Sequence, residues 1–172
     1  MVQYSVPSKD QPSWPQNHLT RSNVTLSQSN ICALHSLHHH LDLTNSFDIA
    51  VFAVACVMFW CCCRLCELLI DTTFDPASHV SQSTLIKHGV AANSSAFTSF
   101  HLPCTKTKED GDDVRMTDTH CDCSLSFAFN HHLSSNSSVP GNSPLFTFET
   151  EMGGWSPMRH NWFLARCNEV WA

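Results

Sequence analysis

Apolar residues at Ile31, Leu34, Leu37 and Leu41 follow the spacing of one helical face. Thr25 stands where an N-cap would, with Gln28 at the third helical position, a capping-box pattern. Together these predict an amphipathic helix from Thr25 to about Leu41. A second start signal, "TNSFD" at 44–48, offers Asn45 or Ser46 as cap and puts Asp48 in the electropositive first turn. Every residue from Ile49 to Cys63 is then apolar. A helix with no polar stripe is buried on all sides. The run stops at Arg64, and Glu67 shares its face at i and i+3. Pro76 marks the end of helical structure.

β-rich segments follow. "AFTSFHL" (96–102) and "DVRMT" (113–117) flank the polar turn "CTKTKEDGD", with Gly111, and predict a β-hairpin. A helix is expected over about 123–134, then a loop at "SVPGNSP" and a short strand at "LFTFE". After a turn at Gly153–Gly154, Ser156 as cap and Pro157 at the first position predict a last helix, with Phe163, Cys167 and Val170 on one face. The chain stops inside that helix, which suggests a truncated domain. Residues 1–22 are polar with three prolines and read as a disordered arm or linker remnant. Residues 23–172 read as one domain, α+β and mostly α-helical, with a small antiparallel sheet.

Composition narrows the function. At 172 residues the chain suits one domain. Charged residues make up only 14%, and the net charge is −6. That excludes holding DNA by a basic surface alone, because neutralising phosphates takes Lys and Arg. A local basic site stays open. The first twenty residues hold no apolar signal region, so the ten cysteines read as reduced thiols of an intracellular protein. The sequons at Asn23, Asn93 and Asn136 are then chance products of a serine-rich chain. Residues 49–63 fall short of the roughly twenty apolar residues of a membrane span. A core helix is the better reading, and no membrane partner is expected.

Candidate chemistry begins with metal. Cys63-x-x-Cys66 and Cys121-x-Cys123 beside His120 have ligand-like spacings, and His38, His39, His40, His131 and His132 add nitrogen donors. Structural zinc takes four ligands on paired turns. Cys63 and Cys66 lie instead in an apolar run, where cysteine is commonly a small buried hydrophobe. Buried thiols and solvated histidines are therefore preferred to a metal site. No G-x-S-x-G, H-E-x-x-H or phosphate-binding glycine loop supports a hydrolase. Arg64 on a rigid helix, together with Lys106 or Lys108 in a hairpin turn, could grip and protonate a phosphodiester. Taken alone, the Arg64–Glu67 segment favours a structural ion pair.

Several stretches carry a resemblance in order: "LDLTNSFDIAVFAVACVMFWCCCRLCELLI", "FDPASHV", "FHLPCTKTKEDG", "HHLSSNSSVPGNSPLFTFET" and "GGWSPMRHNWFLARCNEVW". Over about residues 21–172 the chain resembles the catalytic domain of tyrosine recombinases, the integrase-like DNA breaking–rejoining proteins of fungal mobile elements. The resemblance implies a partial tyrosine-recombinase core, a nuclear location, and a part in DNA recombination and DNA integration. It implies that Arg64 contacts the scissile phosphate with Glu67 as its support. Lys106 would protonate the leaving 5′ oxygen, with Lys108 a lesser phosphate contact. No cofactor is implied, because a covalent phosphotyrosyl intermediate conserves the bond energy.

The departures are as informative. In the family an H-x-x-R box and a nucleophilic tyrosine come after the "WFLARCNEVW" helix. Neither follows it here, and the sole tyrosine is Tyr4. Cys61 and Cys66 stand where relatives carry glycine, and Cys104 where they carry tryptophan. The expectation is a DNA-binding fragment with weak, sequence-indifferent affinity that cannot cleave and rejoin DNA by itself. A helix robbed of its cover would also favour self-association through exposed apolar surface. The alternatives are a non-enzymatic Cys/His zinc-binding interaction module and a small membrane-associated protein using 49–63.

Overall fold

The computed structural model describes residues 31–92, 94–106, 108, 110–117 and 122–172. The expected arm at 1–22 and the capping box at Thr25 and Gln28 lie outside the described residues. Within them the protein is a small α+β fold. Helices α1 (Ile31–His40) and α2 (Ser46–Cys61) are followed by the single turn α3 (Leu65–Leu68). Strands β1 (Lys87–Val90), β2 (Ala96–Leu102) and β3 (Asp112–Thr117) form an antiparallel sheet in that order. Helix α4 (Leu125–Ser135), the pair β4 (Thr147–Glu149) and β5 (Trp155–Pro157), and helix α5 (His160–Trp171) complete it.

α2 is the axis of the core. Its start follows from Asn45, whose side chain accepts from the amides of Phe47 (2.9 Å) and Asp48 (3.3 Å). Ile49 to Val57 are each at most 3% exposed, because α1, α4, α5, β3 and β4 all pack around them. The expected bare apolar helix is therefore closed over this stretch, and partial exposure begins at Met58. Phe52, Phe100, Phe129, Phe146 and Phe163 are almost fully buried, each contributing roughly 1.5–3 kcal/mol by leaving water. Among the described residues the large apolar side chains most open to solvent lie elsewhere, at Leu85, Val90, Phe127 and Met152.

The hairpin forms where the alternation predicts it. Val114 and Met116 face the core, and Phe100 pairs with Val114. Gly111, at φ +76°, is required in its turn: a Cβ there would lie 1.9 Å from the Leu102 carbonyl oxygen. β1 has no strong sequence signal and forms by pairing with β2.

Two predicted boundaries are corrected. The apolar run is not one helix up to Arg64. It breaks after Cys61, because Cys62 takes a left-handed conformation (φ 54°, ψ 28°). The last helix does not open at Ser156–Pro157. Those residues pair with β4 as β5, Met158 N–H donates to Phe146 O (2.9 Å), and the helix begins at His160. A long-range strand pairing outweighs the local Ser-Pro start signal. Its cap comes from a distant chain segment, with the His160 amide donating to Asp71 Oδ1 (3.3 Å).

The break gives a first prediction. A side chain in the left-handed region costs about 1–2 kcal/mol that glycine avoids. Cys62 is exposed, so its side chain contributes little to the core. Cys62→Gly is expected to stabilise the protein by about 1 kcal/mol and raise the melting temperature by about 2–4 °C. A scanning-calorimetry shift of zero or downward would contradict the assigned backbone. The position that calls for glycine is thus Cys62, whereas Cys61 and Cys66 are helical.

Candidate functional site

The turn at Cys62 separates Arg64 from α2 and places it at the N-cap of α3. The Arg64 amide donates to Glu67 Oε2 (2.8 Å), and Glu67 N–H closes the turn on Arg64 O (3.0 Å). Glu67 also lies 3.8 Å from the guanidinium through Oε1. Its side chain is 13% exposed while that of Arg64 is 52% exposed. The carboxylate is therefore a fixed brace and the guanidinium a half-free head. The spacing of i and i+3 reads correctly from the sequence. The setting differs, since the pair opens a new turn rather than closing the buried helix.

Two of the cysteines around it, Cys61 and Cys63, stay protonated at neutral pH. Burial, then neighbouring thiols, pushes the Cys61 pKa up to about 12. Burial, then Glu67 and Cys62, does the same to Cys63. Cys61 Sγ instead donates to the Arg115 carbonyl at 3.7 Å, closing α2 against β3. Cys63 and Cys66 are not on one helix: Cys63 lies in the break and Cys66 in α3. Among the described residues no three His, Cys, Asp or Glu side chains are grouped to hold a metal ion. His120 and Cys121 lie outside the described residues. Cys123 is fully buried, and its carbonyl accepts from Trp60 Nε1 (3.0 Å). Among the described residues no helix is long and apolar enough to cross a membrane.

The hairpin separates the two candidate lysines. Lys108 Nζ is bound to Asp112 Oδ2 at 2.7 Å, and that bond is the first cause of the lowered Asp112 pKa. Its backbone is held by Thr105 across the turn. Lys106 is exposed, and among the described residues it makes no hydrogen bond or ion pair. Arg64 and Glu67 are brought together. No bond joins either of them to Lys106 or Lys108 among the described residues.

Two polar clusters escaped the sequence reading. Arg166 on α5 forks onto Asp48, with Nε to Oδ1 and Nη2 to Oδ2 both at 2.8 Å. Its pKa is raised, first by that bond. The signal available was an aspartate at the mouth of a wholly apolar helix, which needs a partner once buried. The second cluster joins α3 to α5: Arg159 Nη1 donates to the carbonyls of Ile70 (3.4 Å) and Thr72 (3.2 Å), and His160 Nδ1 lies 2.6 Å from Asp71 Oδ2. It ties the chain leaving the Arg64 turn to the last helix. Asn136, read as a chance sequon, is 1% exposed, and its Oδ1 accepts from the Glu149 amide (2.8 Å).

No protein-family model, no curated protein and no solved structure matches this chain.

Proposed function

We propose that this chain is a DNA-binding part of a tyrosine-recombinase catalytic core, acting on phosphodiesters through Arg64. The observation that carries the reading is the mounting of that arginine. A helix buried on every side leads into a left-handed break, then into a turn whose carboxylate holds the Arg64 backbone and side chain while the guanidinium projects half-exposed. The brace leaves the guanidinium open to a ligand while fixing the backbone that carries it. A planar fork held in this way suits two phosphate oxygens. Lys106, exposed in the β2–β3 turn, supplies the proton-donor role in the same reading, with Glu67 as the brace of Arg64 and Lys108 held in reserve by Asp112. The family resemblance in the order of these segments adds its weight.

Chemistry beyond binding takes a nucleophile, and the sole tyrosine of this sequence is Tyr4. Removing one member of a cooperating catalytic set costs orders of magnitude in rate. The expected behaviour of the chain as it stands is therefore weak, salt-sensitive binding to duplex DNA without strand transfer. Fluorescence anisotropy at low salt tests it. Arg64→Ala is expected to weaken binding about tenfold at 50 mM salt and to reduce the salt slope by about one. The variant should leave the melting temperature nearly unchanged, because an exposed pair of this kind contributes under about 1 kcal/mol. Absence of duplex binding at high micromolar protein would end the proposal.

A further inference from the structure

The register of the three-stranded sheet sets a second group of cations beside the Arg64 turn. Lys87 pairs with Ser99, and Ser99 pairs with Arg115, so the three stand in one row and on one face. The opposite face carries Phe100, Val114 and Met116 into the core, so this row faces solvent. Lys87 and Arg115 are exposed, while Ser99 between them is buried. Two strand steps of roughly 4.8 Å separate the outer Cα atoms by about 10 Å. Arg115 is fixed over the Phe97 ring at 5.2 Å from its centroid. That ring lies on Gly89, where a Cβ would meet Phe97 Cζ at 2.6 Å. At the far edge the Arg115 carbonyl accepts from Cys61, next to the Cys62 break that leads into Arg64. Among the described strand residues one carboxylate interrupts the face. Asp113 is bound to His101 Nδ1 at 2.9 Å, and Lys87, His101 and Arg115 all help to lower its pKa.

We infer that the solvent face of the β1–β2–β3 sheet is a backbone-contacting surface for duplex DNA, with Lys87 and Arg115 as phosphate contacts continuing from Arg64, and Asp113 as a built-in restraint on their affinity. The inference rests on the reading of Arg64 given above. Duplex is favoured over single strands because stacking platforms use open aromatic faces, and the Phe97 ring is enclosed between Gly89 and Arg115. A lipid surface is disfavoured because the described strand residues of this face include no exposed large apolar side chain for insertion; Val90 belongs to the opposite face by its pairing with Ala96, and Leu85 lies ahead of β1. In a chain of net charge −6, a local row is the form that DNA contact must take. Among the described strand residues of this face Asp113 is the one carboxylate, and it is expected to keep the affinity weak.

The test uses the full chain, a fluorescein-labelled random-sequence duplex, and titrations over a range of salt. Lys87→Gln and Arg115→Gln are each expected to weaken binding about tenfold at 50 mM salt and lower the salt slope by about one. Asp113→Asn is expected to tighten binding about threefold or more, and a damaged fold cannot produce that gain. Glu151→Gln makes the same change in net charge on the exposed Thr150–Gly154 turn, and should have a smaller effect. If Arg64→Ala weakens binding while the Lys87 and Arg115 variants do not, the sheet face is excluded and the Arg64 reading stands. If the wild-type chain binds no duplex, both fall. Tighter binding to single-stranded RNA of equal length, or to vesicles rich in phosphatidylserine, would overturn the assignment of duplex DNA.

Discussion

Arg166→Ala is expected to lower the unfolding free energy by about 3 kcal/mol, the low end of what removing one partner of a buried ion pair costs. Asp48 is 5% exposed, and both its oxygens receive the guanidinium fork at 2.8 Å. Without Arg166 the carboxylate keeps the Asp42 amide (2.9 Å) and the positive end of α2, which hold the loss below the upper limit. The charge itself stays in place with little access to water. Arg166→Lys should recover only part of the loss, because an ammonium cannot serve both oxygens in the plane of a fork. Urea unfolding reads this as a lower midpoint at unchanged slope. A loss below about 1 kcal/mol would mean that the pair contributes as an exposed pair does, and that α5 is not anchored through it. Glu169, on the exposed side of Arg166 at 2.9 Å, should matter far less.

The same pair shows what the sequence can and cannot display. α2 and the β2–β3 hairpin are legible because their signals are local: Asn45 with an apolar run, and period-two alternation around a glycine turn. Asp48 and Arg166 lie 118 residues apart, and no pattern in one segment announces the other. The start of α5 is hidden for a related reason. Ser156 and Pro157 read as a helix opening, but their backbone is committed to β4, and the cap is lent by Asp71. At the candidate site the i, i+3 spacing reveals Arg64 with Glu67. It does not reveal the break at Cys62, because cysteine is not a residue expected in the left-handed region. Lys106 and Lys108 are equivalent as letters. The resemblance alone prefers Lys106, and the fold separates the two physically, by binding Lys108 to Asp112 across the turn. The sheet row is invisible without register, since Lys87 and Arg115 become neighbours only through Ser99.

Acid should destabilise the protein in a window that carboxylates do not explain, and the cause is His132. Its side chain is completely buried on α4, with Nε2 3.0 Å from the Leu145 carbonyl and Nδ1 3.1 Å from Asn136 Nδ2. An amide nitrogen donates, so Nδ1 accepts and the proton sits on Nε2: the neutral tautomer satisfies both contacts. The charged form would turn Nδ1 into a donor facing a donor. Burial is the main cause of a pKa lowered to about 4, with the neighbouring His131 also acting to lower it. A histidine whose folded pKa is depressed stabilises the fold fully above its unfolded value near 6.5, and that contribution is lost as pH falls toward 4. The shift corresponds to about 3 kcal/mol over this interval. Asp42, Asp75, Asp112 and Asp113 have pKa values lowered from 3.8, so their losses come at lower pH. Unfolding followed in urea at stepped pH is expected to show stability falling by up to about 1.4 kcal/mol per pH unit within the histidine window. His132→Gln, less stable at neutral pH, should flatten that slope. The His132 ring resonances should titrate near pH 4 rather than 6.5. A wild-type slope that persists in His132→Gln would assign the acid sensitivity to other groups and remove His132 from the account.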